Sequence, residues 1–550
     1  MPVIEISHKD LKNFIGNISI ENIENYSKLE ISQDQEDKDK LTVEVKDSNR
    51  PDLLSIEGIA RELKGIFGKE KGLAEYKINN STFSLNAENV KARPEIVCAV
   101  IKSLKLNDFA IKQIIQLQEK LCDGFGRKRK EASIGIYDFD RIKWPIAYKS
   151  AKPDTVSFIP LEMSRALSLK QILSQHPKGR DYAHLLEKEA EYPLLMDSAK
   201  EVLSMPPVIN SSYSGRITEN TKNLFVEVTG FDREKIMLAL NIVLSALADR
   251  NGKIYPVQIK KSEKSFKSPD FSVRTKKVSI EEINNRLGLT LSSKEMISLL
   301  EKARYSAISK KDELEVKIPF YRADVIHPVD VIEDIAIAYG YQNFSPEEPR
   351  IFTIGSLMEE TKLADNIAML LIGLGLQEIL AFNMSNKNDL FKKMNLKEEK
   401  IIELENPVSQ TYTCLRNRLL PSLMNVLSHN TTRTYPQRIF EIGSIVKMNA
   451  KSDVKSDTMQ NLSILLTNSN FTEIKQILDY LSVNLGLNFS IKQSSHPSFI
   501  EGRCGDIIVN NKTIGVIGEI NPQVLSNFNL EVAVSALEIN LDSLLESLKK

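Results

Sequence analysis

The stretch YRADVIHPVDVIEDIAIAYG, residues 321–340, carries the densest chemical signal in the chain. Its proline, Pro328, suits the first turn of a helix that ends at Gly340. Four carboxylates lie in the stretch: Asp324, Asp330, Glu333 and Asp334. The last three fall at i, i+3 and i+4 on one helix face, and four hard oxygen donors suit Mg2+ better than zinc or iron. Spacing alone favours the alternative, an ordinary acidic first turn that faces water.

The residues before this stretch predict two short helices and a strand. The helices begin after Ser279 and Ser292, each of which has a glutamate three residues further on, as in a capping box. Gly288 ends the first helix. Alternating apolar residues over 314–318 predict the strand. Together these elements predict a domain over residues 270–345.

Two polar segments predict the boundaries of that domain. The segment KKSEKSFKSP, residues 260–269, has almost no apolar content and predicts a solvated linker. The segment SPEEPR, residues 345–350, is rich in proline and charge and predicts a second boundary.

The flanking regions show mixed helix and strand patterns. Residues 92–257 predict a compact α+β domain with helices over 109–120 and 235–250 and strands over 133–137 and 224–228. The chain after residue 350 alternates amphipathic helices with strands over 438–442, 461–466 and 513–517. Near the start, a strand over 41–45 is stopped by the cluster 49–52, and a helix follows over 56–63 with Asp52 as its expected N-cap and Gly65 at its end.

Length and charge exclude several classes of protein. The chain has 550 residues, enough for roughly three to four domains. Its 73 Lys and Arg balance 73 Asp and Glu, which argues against nucleic-acid binding by bulk electrostatics and leaves local contacts.

Cysteine spacing and hydropathy point to a reducing compartment. Four widely spaced cysteines form no CxxC pair, so neither a disulfide framework nor a zinc site is expected: Cys98, Cys122, Cys414 and Cys504. The most apolar stretch, 367–376, is too short to cross a membrane, and the N-terminus has no secretory signal pattern. We expect a cytoplasmic protein without membrane association.

Three further groups of residues carry possible chemistry. The basic run 127–130 could contact phosphate, although a solvated charged turn is the favoured interpretation. The polar residues Ser204, Glu227 and Thr229 could line a small pocket or serve packing and caps. Arg438 and Glu441, on one predicted strand, could bind a nucleotide or form a structural ion pair. Phosphate-loop, GxSxG, HExxH and kinase motifs are absent from the sequence.

Several long motifs, in order, resemble the beta subunit of phenylalanine–tRNA ligase in its archaeal and eukaryotic form. They are SNRPDLLSIEGIARELKG (48–65), GRKRKEASIGIYD (126–138), VLSMPPVINS (202–211), IPFYRADVIHPVDVIEDIAIAYGY (318–341), ENPVSQTYTCLRNRLLPSL (405–423) and RIFEIG (438–443). The resemblance covers essentially the whole chain.

The resemblance implies a multidomain α+β fold. Its expected parts are an N-terminal α/β domain (1–80), a B3/B4 editing domain (90–258), a winged-helix-like B5 domain (270–345) and a degenerate class II synthetase-like domain with an antiparallel sheet and helices (352–550). It also implies an (αβ)2 heterotetramer with an alpha subunit that converts ATP and phenylalanine to the adenylate and charges tRNA(Phe). The segment GVIGEINP, residues 515–522, lacks the arginine that a working class II ATP site needs, so the adenylation site is expected on the alpha subunit.

The resemblance also implies two sites. One is Mg2+ on Asp324, Asp330, Glu333 and Asp334, shared with the alpha subunit. The other is an editing pocket for tyrosyl-tRNA, built from Leu195, Ser204, Glu227 and Thr229. Archaeal family members usually have Asp where this chain has Glu227, and one extra methylene could displace the carboxylate by about 1 Å. The competing hypothesis is a paralogue that binds RNA or a partner without ligase activity.

Overall fold

The computed structural model of the protein describes residues 2–261, 264–349 and 351–549. It divides into two compact units, Met1–Glu348 and Pro349–Lys550. Residues 262 and 263 of the expected linker, and Arg350 of the second expected boundary, lie outside the described residues. The division into four domains stays a prediction.

The first unit begins with a small three-stranded antiparallel sheet of order β1-β3-β2. Its elements are β1 (Val3–Ser7), α1 (His8–Ile15), α2 (Ile20–Tyr26), β2 (Leu29–Gln33), β3 (Lys40–Val45) and α3 (Ile56–Ile66). The expectation that Asp52 caps α3 is wrong: Ser55 is the N-cap and accepts a hydrogen bond from the Gly58 amide. Asp52 lies one turn earlier, in the short 3-10 helix Pro51–Leu53, where its carboxylate faces Arg50.

A ten-stranded mixed sheet follows, of order β12-β11-β10-β7-β4-β14-β5-β13-β6 with β15 paired to β14. Its region contains β4 (Ser84–Ala87), β5 (Glu95–Lys102), α4 (Asp108–Asp123), β6 (Ala132–Asp138), β7 (Ile146–Ala151), β8 (Ser157–Phe158), β9 (Leu167–Ser168), α5 (Leu169–Gln175), α6 (Pro177–Tyr182), β10 (Tyr192–Met196), β11 (Val202–Met205), β12 (Ile209–Asn210), β13 (Leu224–Gly230), α7 (Arg233–Asp249), β14 (Lys253–Lys261) and β15 (Lys264–Ser268). The β8 and β9 strands pair only with each other.

The prediction of a linker over residues 260–269 is wrong for the residues of that segment that the structure describes. Those residues belong to the hairpin of β14 and β15, which extends the sheet. Val257 and Ile259 of β14 are buried, so the hairpin is anchored by its alternating apolar side chains. The polar residues that suggested a linker belong to a paired edge of a sheet.

The last part of the first unit is a three-stranded antiparallel sheet with three helices. Its elements are β16 (Arg274–Ser279), α8 (Ile280–Leu287), α9 (Ser293–Lys302), β17 (Ser306–Lys310), β18 (Glu313–Ile318) and α10 (Pro328–Tyr339). The structure confirms all four predicted elements here. Ser279 and Ser292 cap α8 and α9, and Gly288 ends α8 in the left-handed conformation with φ 65°.

The second unit is built on a seven-stranded sheet of order β19-β22-β23-β27-β26-β25-β24, antiparallel except where β19 meets β22. Its elements are α11 (Glu359–Gly373), β19 (Gln377–Glu378), β20 (Met384–Ser385), β21 (Cys414–Leu415), α12 (Leu420–His429), β22 (Arg438–Met448), β23 (Ser456–Thr467), α13 (Phe471–Leu485), β24 (Ser490–Gln493), β25 (Phe499–Val509), β26 (Lys512–Ile520), α14 (Pro522–Asn527), β27 (Val534–Asn540) and α15 (Leu541–Leu548). Helices pack on both faces, so the sheet separates two apolar cores.

The cysteines and the helices agree with two expectations from the sequence. All four cysteines are free thiols in buried positions. Among the described helices, none has the length and apolar content needed to cross a membrane.

Candidate functional site

A cavity of about 810 Å3 lies beside strands β6 and β13 of the first unit. One wall comes from α4 and from Ser133, Ile134 and Ile136 of β6, and another comes from residues 206–210. Glu227 of β13 also lines the cavity. Glu227 lies in the middle of a strand whose residues are all buried, so its carboxylate is held by the sheet itself.

Glu227 is an ionisable residue in a buried position, and only 2% of it is exposed. Its Oε1 accepts a hydrogen bond of 3.0 Å from the Tyr137 hydroxyl. Its Oε2 has no hydrogen-bond partner within the described residues. Burial raises the pKa of Glu227 to about 7, against the smaller opposing effects of the Tyr137 hydroxyl and the Arg93 charge. A buried carboxylate with one free oxygen at a cavity wall can accept a hydrogen bond from a ligand hydroxyl.

The other three residues predicted for this pocket are buried, but they are not among the residues that line the cavity. Ser204 of β11 pairs with Leu195 of β10 in the strand register, so these two residues lie side by side. The buried Ser204 hydroxyl lies near that of Tyr137, whose pKa it acts to lower against the larger effect of burial. Thr229 is on the same strand face as Glu227, and its Oγ1 accepts a 2.8 Å hydrogen bond from Arg93 Nε. Thus, of the four predicted residues, the structure places Glu227 at the cavity and does not place Leu195, Ser204 or Thr229 in its lining.

Arg129, one residue of the basic run 127–130, lines the cavity. It ends a tight turn in which Arg127, Lys128 and Arg129 have φ of 49°, 52° and 64°. This backbone turns the Arg129 guanidinium inward, where it donates to the carbonyl oxygens of Pro207 at 3.1 Å and Val208 at 2.9 Å. The neighbouring Arg127 side chain remains exposed, as expected of a solvated turn. Nothing in the basic run distinguishes the one inward residue from the rest.

The stretch of residues 321–340 contributes a buried ionic cluster. Arg322 donates to Asp324 and Asp334, and Asp334 also accepts a short hydrogen bond from Tyr305. Burial alone would raise the pKa of Asp324, but the hydrogen-bonded Arg322 guanidinium outweighs it and holds that pKa below its usual value. Arg50 Nε lies 3.9 Å from Asp324 Oδ1 and joins the cluster from the N-terminal motif.

The remaining two acids of the predicted Mg2+ site point elsewhere. Asp330 Oδ2 accepts hydrogen bonds from the backbone amides of Ile326 at 2.8 Å and His327 at 2.7 Å, and so closes the first turn of α10. The Glu333 side chain is about half exposed and pairs with Lys28. In the described ranges, no three His, Cys, Asp or Glu side chains form a group that could hold a metal ion. The four acids therefore do not fit a metal site within this chain alone, and the Mg2+ site stays a prediction.

In the second unit, Arg438 and Glu441 do not form the ion pair that was one of the two alternatives for them. Glu441 Oε1 accepts a 2.8 Å hydrogen bond from Arg416 Nη1, with both side chains buried. Arg438 lies at the surface, 3.8 Å from Glu473. Residues three apart on a strand point to opposite faces, which is why Arg438 and Glu441 cannot meet.

The same unit carries an unusual number of exposed apolar side chains. Five of them are at least four-fifths exposed: Phe352, Ile354, Leu380, Val408 and Val483. Phe382, Leu357 and Met369 are more than half exposed. Isolated exposed apolar residues are ordinary, whereas a contiguous apolar patch marks an interaction surface.

Comparison with known proteins places these features in a family. The model of the phenylalanyl tRNA synthetase beta chain CLM domain matches residues 347–541, and the model of the tRNA synthetase B5 domain matches residues 276–341. Among curated proteins, the phenylalanine–tRNA ligase beta subunit of Pyrococcus horikoshii is 44% identical over 98% of this chain and 99% of its own length. That of Pyrococcus furiosus is 43% identical over 99% of this chain and all of its own.

A solved structure of an N-terminal beta-subunit fragment is also similar to this chain. The crystal structure of an N-terminal fragment of the phenylalanyl-tRNA synthetase beta subunit from Pyrococcus horikoshii matches with a TM-score of 0.59 and 41% identity. It covers 62% of this chain and 99% of the fragment.

The two domain models define the class of this protein as a chain of an aminoacyl-tRNA synthetase. Near full-length identity then defines the family, and the chain belongs to the phenylalanine–tRNA ligase beta subunits. The resemblance drawn from the six motifs is confirmed.

Proposed function

We propose that this chain works with an alpha subunit that converts ATP, L-phenylalanine and tRNA(Phe) to phenylalanyl-tRNA(Phe), AMP and diphosphate. The observation that carries this proposal is identity of 40–44% along nearly the whole length of seven archaeal beta subunits. The chain supports the reaction, and adenylation takes place on the alpha subunit.

The second unit supports the assignment of adenylation to the alpha subunit. Glu538 of β27 lies at a cavity of about 670 Å3 on the sheet, but its two oxygens accept hydrogen bonds from the backbone amides of Leu419 and Leu420. That carboxylate is thus committed to the start of α12 and is not available to bind a substrate. The absence of an arginine in residues 515–522 points the same way.

The exposed apolar residues of the second unit support an obligate protein partner. We assign that surface to the alpha subunit and the assembly to an (αβ)2 heterotetramer. Co-expression of both chains, followed by mass measurement, tests this assignment. A tetramer with two copies of each chain supports it, whereas a beta chain that remains monomeric in the presence of the alpha chain contradicts it and favours a separate RNA-binding or partner-binding protein.

A second proposal concerns the cavity beside β13. We propose that it hydrolyses tyrosyl-tRNA(Phe) formed in error, with Glu227 selecting the tyrosyl group. Tyrosine differs from phenylalanine by a single hydroxyl, and an apolar pocket discriminates poorly against such an addition. The free Oε2 of Glu227 supports the proposal, because a buried acceptor without a partner gains a hydrogen bond from the hydroxyl that tyrosine has and phenylalanine lacks. Incubation of the αβ complex with tyrosyl-tRNA(Phe) tests it, and tyrosyl-tRNA that stays intact contradicts it.

The Mg2+ prediction becomes a proposal for the assembled enzyme. We infer that binding by Asp324, Asp330, Glu333 and Asp334 needs the alpha subunit, because in this chain each of the four already has a protein partner. The Mg2+ content of the purified complex tests this inference. A complex carrying Asp330→Asn and Asp334→Asn should lose Mg2+ or assemble poorly, and unchanged content and assembly contradict it.

A further inference from the structure

Two neighbouring strands bring a tyrosine hydroxyl to Glu227. In the antiparallel pair of β6 and β13, Gly135 lies opposite Glu227, and Tyr137 lies opposite Phe225. Tyr137 is therefore the diagonal neighbour of Glu227 on the same face of the sheet. Its hydroxyl oxygen lies 3.0 Å from Glu227 Oε1, and both side chains are buried.

Gly135 makes room for this contact. A Cβ atom at position 135 would lie 2.3 Å from the Tyr137 hydroxyl oxygen and 2.5 Å from Glu227 Oε1. Both distances are far below van der Waals contact, so any side chain at position 135 would push the two groups apart. The hydrogen bond thus depends on three positions together: a tyrosine, a glutamate and a residue without a side chain.

The Tyr137 ring is itself held in place. It packs against Phe225 with ring centroids 5.6 Å apart, and Phe225 packs against Trp144 at 5.5 Å. A glutamate has one more rotatable bond than an aspartate, so its carboxylate needs a second support to remain in one position. The Tyr137 hydroxyl supplies that support to Oε1, while Oε2 remains free.

We propose that Tyr137, in the space left by Gly135, is the positioning residue that holds Glu227 for recognition of the tyrosyl hydroxyl. This inference rests on the proposed editing function and assigns a new role within it. The ligand class is an aromatic aminoacyl ester with a para-hydroxyl. The phenol of the substrate donates to Glu227 Oε2, and no covalent bond changes in this recognition step.

The groups around Glu227 act on its pKa, so the role of Tyr137 can be measured as a change in a pH profile. The titratable or charged groups around it are Tyr137, Arg93, the thiol of Cys98 opposite it on β5, and Tyr148. Burial raises the pKa of Glu227 to about 7, and the Tyr137 hydroxyl acts to lower it. Loss of the Tyr137 hydroxyl should therefore shift the ionisation of Glu227 to higher pH.

The test uses the αβ complex and two substrates, tyrosyl-tRNA(Phe) and phenylalanyl-tRNA(Phe). Tyr137→Phe keeps the ring and removes only the hydroxyl. We expect the ratio of the two kcat/KM values to fall roughly tenfold, as for one lost hydrogen bond to a charged group. We also expect the midpoint of the pH profile for tyrosyl-tRNA hydrolysis to rise.

A matched control is Tyr148→Phe. Tyr148 is equally buried in the same sheet, but its hydroxyl donates to the Arg93 carbonyl oxygen at 2.8 Å and not to Glu227. Tyr148→Phe should lower the free energy of unfolding about as much as Tyr137→Phe does. It should leave the ratio of the two kcat/KM values unchanged. In a Glu227→Gln background, Tyr137→Phe should have little further effect on the ratio, because the group it positions is gone. Gly135→Ala keeps both side chains and should reproduce the loss of discrimination.

The outcomes separate this inference from the proposed editing function. A wild-type complex that hydrolyses tyrosyl-tRNA, together with a Tyr137→Phe complex of unchanged ratio and pH profile, overturns the positioning role alone. An equal fall in the ratio for Tyr148→Phe, or a full effect of Tyr137→Phe in the Glu227→Gln background, also overturns it. A wild-type complex that hydrolyses neither substrate removes the editing function and this inference with it.

Discussion

The Arg322 guanidinium lies 2.7 Å from the Asp334 carboxylate, and their side chains are only 2% and 7% exposed. Arg322 is in the loop before α10, whereas Asp334 is in the second turn of that helix. The pair therefore fixes the loop against the helix. Buried pairs of this kind are costly to break from one side, because the remaining charge stays buried without compensation.

Asp334→Ala should destabilise the first unit by about 3 kcal/mol, since it removes one of the two buried carboxylates that pair with Arg322 and the acceptor of the Tyr305 hydroxyl. Urea-induced unfolding of the full chain measures the effect. The control is Glu333→Ala, one residue earlier, which removes the exposed pair with Lys28 and should cost at most about 1 kcal/mol. Equal losses for the two variants would contradict the role of the buried pair.

The raised pKa of Glu227 predicts a pH-dependent stability. The pKa is about 7 in the folded chain, compared with 4.5 for an ordinary glutamate, so the folded state binds this proton more tightly. Stability is therefore lost as pH rises between these two values. Glu227→Gln removes this dependence. The free energy of unfolding of the variant, relative to that of wild type, should therefore be about 3 kcal/mol higher at pH 8 than at pH 4. Unfolding measured at both pH values checks it, and an equal difference at both contradicts it.

The Arg416 and Glu441 pair predicts a similar contrast in the second unit. Arg416→Ala leaves the Glu441 carboxylate buried and unpaired and should cost about 3–5 kcal/mol. Arg438→Ala, at a surface site 3.8 Å from Glu473, should cost less than about 1 kcal/mol. Thermal unfolding of both variants gives the comparison. A larger loss for Arg438→Ala would show that the exposed arginine is the structural one.

The exposed apolar surface predicts an assembly defect without a folding defect. Replacing Phe352, Leu380 and Phe382 with serine should weaken association with the alpha subunit by at least tenfold, because each side chain is already exposed in the free chain. Ile308→Ser, at a 51% exposed site of the first unit, is the control. Titration of labelled alpha chain measures affinity, and circular dichroism measures folding. Unchanged affinity in the triple variant would place the interface elsewhere.

The sequence predicted elements best where local rules decide them. The capping serines at 279 and 292, the proline at 328 and the glycine at 288 act within one turn, and each begins or ends a helix as expected. The sequence does not predict the hairpin of β14 and β15 because most of residues 260–269 are polar, whereas β14 is held in the sheet by pairing with the distant strand β4. The sequence predicts Asp52 as a cap, but its carboxylate pairs with Arg50 instead, and Ser55 begins the helix.

The candidate sites show the same limit. The sequence indicates Glu227 as one of three polar residues that could line a pocket, and the family resemblance implies its place in the editing pocket. Tyr137 and Gly135 could not be found from spacing, because their contact with Glu227 crosses between strands that are about 90 residues apart. Arg322 was overlooked beside four acids, although an arginine next to a carboxylate cluster is the obvious counter-charge once the loop folds back on the helix.

The measurement that most directly tests the central claim is phenylalanine charging of tRNA(Phe) by the separate chains and by their mixture. We predict no charging by the beta chain alone, and efficient charging when the alpha chain is added at equal amounts. Charging by the beta chain alone would contradict the claim that adenylation lies on the alpha subunit. Charging by the alpha chain that is indifferent to the beta chain would contradict the claim that this chain is a working part of the ligase.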